Sequence, residues 1–167
     1  MENRELSKRE WLDKAEAYCA KSEHCAADVR RKLYEWGTPT DLSDGIVESL
    51  YSNDFLNDAR FCHAYVHDKV AYQSWGRLKI QAGLRALNLP ETEIRKSLDE
   101  IIVPEGKEID ENQYLSNLKT LIKQRRSDSP RRSGTLNSAA SDKLIRFLLQ
   151  RGFTYDEIQR AFTNNEI

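Results

Sequence analysis

Cys62, His63 and His67 come nearest to a metal-binding spacing in this chain, because two histidines four apart on a helix can face one ion. No fourth ligand stands at a telling distance, and the glutamate of a His-Glu-x-x-His motif is missing. Phe61, Tyr65 and Val66 already supply the buried side of the same helix, so the histidine pair reads as exposed and fortuitous. No P-loop, Gly-rich phosphate cradle, Gly-x-Ser-x-Gly turn or paired catalytic carboxylates occur. None of the three His stands near a nucleophile of recognisable type. The sequence predicts no catalytic residues, no metal and no cofactor, and hence no enzyme.

The chemistry left is that of cations and aromatic rings. Arg60, Lys69, Trp75, Arg77, Lys79, Arg85, Lys143, Arg146 and Arg151 are the candidate contacts to a partner or to DNA. The competing reading of each cation is a solvated face or a local ion pair. Trp75, with Tyr72, could stack on a base or fill a protein pocket, although a Trp at a helix start more often anchors packing. Gly76 beside it would permit a close helix crossing. Net charge is −1, so any polyanion affinity depends on how charge is distributed. No acid lies between Asp68 and Glu91, where Lys69, Arg77, Lys79 and Arg85 fall. A second basic run is Lys119, Lys123, Arg125, Arg126, Arg131 and Arg132, interrupted by Asp128.

The elements that position these residues repeat. Val29, Leu33, Gly37, Leu42 and Ile46 set a register, echoed by Ile80, Leu84, Asn88, Ile94 and Leu98, and again by Leu144, Leu148, Gly152, Ile158 and Phe162. Each copy is an apolar pair four apart, a Gly or Asn able to turn left-handed, and a second apolar pair. That pattern predicts helix, stop, helix. With 32% charged residues, seven Gly, four Pro and no alternating Val/Ile/Thr runs, the chain reads as all-α. We expect three tandem three-helix repeats in an elongated, curved array: residues 9–53, 54–104 and 105–167. The third would carry a polar, mobile segment at 125–138.

Several boundaries are predicted from local chemistry. Thr38 is expected to cap a helix that starts at Pro39, Asn57 to cap the next, and Ser74 to cap a helix from Trp75 to Leu87. Pro90 begins another helix, Val103 to Gly106 ends the second repeat, and Thr154 with Glu157 makes a capping box. Basic residues collect on the middle helices: Arg30, Arg31 and Lys32; Arg77, Lys79 and Arg85; Lys143, Arg146 and Arg151. The closing helices begin with acids, which suits the helix dipole. Were the middle helices to align, their cations would form a discontinuous positive row.

The stretch Phe55 to Lys69 followed by Trp75-Gly76-Arg77 to Leu89 resembles the central signature of the RecX family of bacterial recombination regulators. Leu144 to Phe153 and then Asp156-Glu157-Ile158 resemble the end of that family, and Glu23-His24-Cys25 to Leu33 its first motif. Together these cover most of residues 10–164 in order. Family members usually place Ser or a similar cap where Cys25 stands, and cysteine caps poorly; the segment around Pro130 has no counterpart. The resemblance implies the fold above and a partner, the RecA recombinase filament, with single-stranded DNA inside it or weakly alone. It implies inhibition of the recombinase's ATPase, strand-exchange and co-protease activities. A direct DNA-binding repeat protein and a general protein-interaction scaffold are the alternatives. The absence of any apolar run of about 18–20 residues argues against a membrane span. The charged start Met1-Glu2-Asn3-Arg4-Glu5 is unlike a signal peptide, and three Cys without a pairing motif suit a reduced cytoplasm; a monomer is expected.

Overall fold

The computed structural model describes residues 6–102, 112–127 and 138–163. Among them every regular element is a helix: α1 (Lys8–Cys19), α2 (Ala26–Glu35), α3 (Thr40–Ser52), α4 (Asp58–Gln73), α5 (Arg77–Ala86), α6 (Glu91–Ile102), α7 (Gln113–Ser127), α8 (Ser138–Gln150) and α9 (Tyr155–Thr163). The expected breaks at Val103–Gly106 and around Pro130 lie outside the described residues, as do Arg131 and Arg132.

Local chemistry sets most helix ends. Ser7 and Glu10 exchange bonds in a capping box that opens α1. The Asn57 side chain accepts from the Arg60 amide at 3.0 Å and opens α4. Thr154 and Glu157 form the expected box at the start of α9. The three predicted stops are left-handed: Gly37 at φ 76°, Asn88 at 58° and Gly152 at 92°. The apolar positions of the repeated register are buried, apart from Leu42 and Phe162, which are half-buried. A 3.6-residue period with a left-handed stop is thus what turns each pair of helices back on itself.

Other ends differ from expectation. Pro39, not Thr38, is the cap of α3, and the first helical residue is Thr40. The Thr38 hydroxyl is buried without a partner. Ser74 does not cap α5; it sits left-handed at φ 49° and closes α4, while Gly76 stands at the cap of α5. Cys25, at the cap position of α2, makes no capping bond; it is buried, and its thiol donates to Asp28 Oδ2 at 3.3 Å.

Helices α1–α3 pack on one another, as do α4–α6 and α7–α9, and α4 also packs on α7. The cores are distributed unevenly. Trp11, Ala15, Val29, Leu33, Ile46 and Leu50 build one core within the first set. A second, continuous core runs from Phe61, Val66 and Ile80 through Tyr114, Leu118, Leu148 and Phe153. The second and third sets therefore share one interior, into which the first set inserts Cys25. Each fully buried Leu or Ile contributes about 1.5–3 kcal/mol by leaving water, so the shared interior binds sets two and three far more firmly than set one.

Candidate functional site

The start of α5 is where the second and third sets meet. A helix N-terminus leaves its first amides without intrahelical acceptors. Here acceptors from the third set supply them: Gly76 N donates to Arg151 O at 2.8 Å, Arg77 N to the Tyr114 hydroxyl at 3.0 Å and Leu78 N to Gly152 O at 2.9 Å. This explains the misplaced cap, because tertiary carbonyls do what Ser74 was expected to do. The Tyr114 hydroxyl in turn donates to Glu157 Oε2 at 3.0 Å, and Arg77 Nε donates to Glu157 Oε1 at 2.9 Å. Burial, and then the Glu157 carboxylate, push the Tyr114 phenol well above the usual tyrosine range, so it remains a neutral donor. Arg151 Nη1 reaches back to Gln73 O at 2.8 Å, and Asn117 Nδ2 to Val70 O at 2.7 Å.

Two glycines permit this approach. A methyl group at Gly76 would overlap the carbonyl group of Gly152 and the amide nitrogen of Phe153. One at Gly152 would lie 2.5 Å from the Lys79 nitrogen and Cβ. The close crossing expected at Gly76 is a contact of backbone on backbone, and it fixes the residues around it.

Those residues form a cationic ridge. Lys69 Nζ lies 4.9 Å and Lys79 Nζ 4.3 Å from the centre of the Trp75 ring. Across the joint, Arg151 Cζ lies 5.5 Å and Arg125 Cζ 4.1 Å from the centre of Phe147. Each ring thus has two cations against it, and the Gly152–Lys79 contact links the two groups. A cation over a ring gains about 0.5–1 kcal/mol at an exposed site without losing its charge. No carboxylate of the described residues pairs with Lys69, Lys79, Arg125 or Arg151. Lys143 and Arg146, exposed on α8, likewise have none.

The remaining predicted contacts are occupied internally. Arg60 binds Glu23 at 2.9 Å and Asp54 at 2.8 Å. The Glu23 bond, ahead of that to Asp54, strengthens its hold on its proton. Arg77 is held by Glu157, and Arg85 binds Glu91 at 2.6 Å. In the first set Arg30, Arg31 and Lys32 pair with Asp44, Asp28 and Glu35. The middle helices therefore do not carry a bare positive row, while Lys69, Lys79, Arg125 and Arg151 flank the second joint without a carboxylate partner. The first joint has the opposite character: a cleft of about 500 Å³ there is lined by Glu23, Asp28 and Asp68 with Phe61 and Tyr65. His63 and His67 are exposed, and the described residues contain no group of three or more potential metal ligands. No described helix is long and apolar enough to cross a membrane.

Sequence reasoning missed Tyr114, Glu157 and Phe147 as parts of this site. Arg151 stands four residues after Phe147, a spacing that could have signalled the pair. Nothing local connects Tyr114 to Arg77.

Comparison with known proteins finds relatives of this chain. Residues 57–98 match the model of the RecX second three-helix domain, and residues 113–162 that of the third. A "Regulatory protein RecX" of Clostridium perfringens is 31% identical over 150 residues, covering 83% of this chain and 62% of the relative. The chain thus spans less than two-thirds of that relative's length. A "Regulatory protein RecX" of Herminiimonas arsenicoxydans is 27% identical, with 89% and 88% covered. The crystal structure of RecX from Lactobacillus salivarius superposes with a TM-score of 0.75 at 18% identity, over 94% of this chain and 95% of that one. The two matched domains cover more than half of the residues and are the two halves of the shared core. The chain belongs to the RecX family of regulatory proteins.

Proposed function

We propose that the chain binds the RecA recombinase and its DNA filament and inhibits its ATPase, strand-exchange and co-protease activities, as a non-enzymatic cytoplasmic monomer. Membership of a family of regulatory proteins is the observation that carries this reading. Repeat boundaries at 53/54 and 104/105 belong to the same proposal. The unpaired cations Lys69, Lys79, Arg146 and Arg151 are its contact residues, with Lys143 beside them and Trp75 holding two of them in place. Arg60, Arg77 and Arg85 act one step back, by fixing the elements that carry the others. Several modest contacts on one rigid frame add up to avidity without any single strong site.

The test is ATP hydrolysis by a RecA–single-stranded-DNA filament titrated with the protein. Hydrolysis should fall with added protein, and unchanged hydrolysis at saturation would refute the reading. The ridge also favours a second reading, direct binding of DNA. Five cations on phosphates would give a slope of about −3 to −4 in log affinity against log salt for a single strand. A flat salt response would dismiss it.

A further inference from the structure

We infer that the joint between the second and third helix sets is a docking surface for an acidic amphipathic segment of a protein partner. Leu78 and Leu149 would receive its apolar side chains, and Lys69, Lys79, Arg146 and Arg151 its carboxylates. The inference deepens the proposed function and rests on it for the partner's identity, though not for the surface itself.

Apolar exposure marks the place. Leu78 is 48% and Leu149 42% exposed, and both are tied to one residue. Leu78 N donates to Gly152 O, and Gly152 N to Leu149 O, each at 2.9 Å. The backbones of the two leucines therefore meet across the joint. Tyr72, beside the Gln73 carbonyl that Arg151 holds, and Tyr155, three residues past Gly152, are 75% and 57% exposed. Four of the seven large apolar residues exposed among the described residues thus belong to the helix ends that form this joint. Clustered apolar exposure rimmed by charge is characteristic of a protein-binding surface.

Charge selects the occupant. The cations here lack carboxylate partners, whereas Arg30, Arg31 and Lys32 on α2 and Arg85 on α5 have them. A carboxylate-bearing partner satisfies this surface with charge-assisted bonds. A nucleic acid matches it less well. Trp75 and Phe147 already have two cations each against their rings, which obstructs base stacking. Phosphates also give exposed leucines nothing to pack on. An amphipathic helix offers both components on one face. The glycine-mediated backbone contact holds the two halves of the surface in register before binding, which lowers the ordering cost.

The test is fluorescence anisotropy with the full chain and two probes. One is a fluorescein-labelled amphipathic peptide of glutamate, leucine and alanine; the other is an oligothymidylate of equal charge. The double variant L78S/L149S changes exposed side chains only, with helicity checked by circular dichroism, and K69E/K79E reverses the charge. L78S/L149S should weaken peptide binding by about 10-fold while leaving oligothymidylate binding unchanged, and K69E/K79E should weaken both. Peptide binding that is absent, or indifferent to the leucines, overturns the surface. So does a wild-type dimer that L78S/L149S abolishes, since the occupant is then a second copy. Inhibition of the RecA filament's ATPase that survives in L78S/L149S rejects the surface and leaves the proposed function standing. Intact, leucine-dependent peptide binding with no inhibition by the wild type does the reverse.

Discussion

Replacing Gly76 by Ala isolates the backbone contact at the second joint. Gly76 lies at φ −79°, ψ 159°, a conformation that alanine adopts freely. Conformation alone therefore predicts a gain of about 0.4–1 kcal/mol, because the unfolded chain loses freedom. Contact predicts the opposite. The added methyl meets the carbonyl of Gly152 and the nitrogen of Phe153, which are backbone and cannot rotate away. Restoring ordinary contact requires α5 and the α8–α9 turn to part by about 1 Å or more. Bonds of 2.8 and 2.9 Å from the amides of Gly76 and Leu78 would then stretch out of range. The buried Gly76 amide left without an acceptor costs about 1–3 kcal/mol, and the lost bond of the more exposed Leu78 about 0.5–1.5 kcal/mol. Net of the entropic gain, the loss is about 0.5–4 kcal/mol, a substantial part of the ~5–15 kcal/mol typical of a domain.

Urea unfolding followed by circular dichroism measures this loss, and Gly37→Ala is the control. Gly37 sits at φ 76° with nothing within 4 Å of a new Cβ, so its substitution costs only left-handed strain, about 1–2 kcal/mol. A Gly76→Ala protein as stable as the wild type would refute the claim that backbone contact fastens the second and third sets together.

Glu157→Gln leaves Arg77 without its charge partner and weakens the acceptor for the Tyr114 hydroxyl; unfolding should show a loss of about 1–3 kcal/mol, smaller in Tyr114→Phe. Asn88→Gly should raise the unfolding free energy measured in urea by up to about 1 kcal/mol, since glycine takes φ 58° without strain. Burial pushes the Cys19 and Cys62 thiols up to about 11, so native protein at pH 8 should resist iodoacetamide that rapidly alkylates the unfolded chain. The same raised values make the thiols' stabilising contribution fully present below about pH 8.5, the ordinary thiol value, and lost as pH rises towards 11. Stability that climbs over that interval, read by thermal melts, would contradict the burial argument.

What the amino-acid sequence settled by itself is most of what depends on near neighbours. The period of Val29, Leu33 and Ile46 and its two echoes places the helices, because burying one stripe of a helix is decided within a few residues. Gly37, Asn88 and Gly152 mark the reversals, because a positive φ is a property of single residues. The capping box at Thr154 and the cap at Asn57 follow for the same reason.

Tertiary structure alone decided which cations stay free and where the amides of α5 find acceptors. Arg77 finds Glu157 eighty residues away, and the Tyr114 hydroxyl accepts from the Arg77 amide across thirty-seven. Ser74, a good cap on paper, lost that role to the Arg151 and Gly152 carbonyls. Local periodicity fixes which face of a helix is buried but not which distant charge or carbonyl arrives opposite its exposed face. Ion pairing and capping across a joint depend on that arrival, so Lys69, Lys79 and Arg151 could be singled out from Arg60, Arg77 and Arg85 only once the helices were packed.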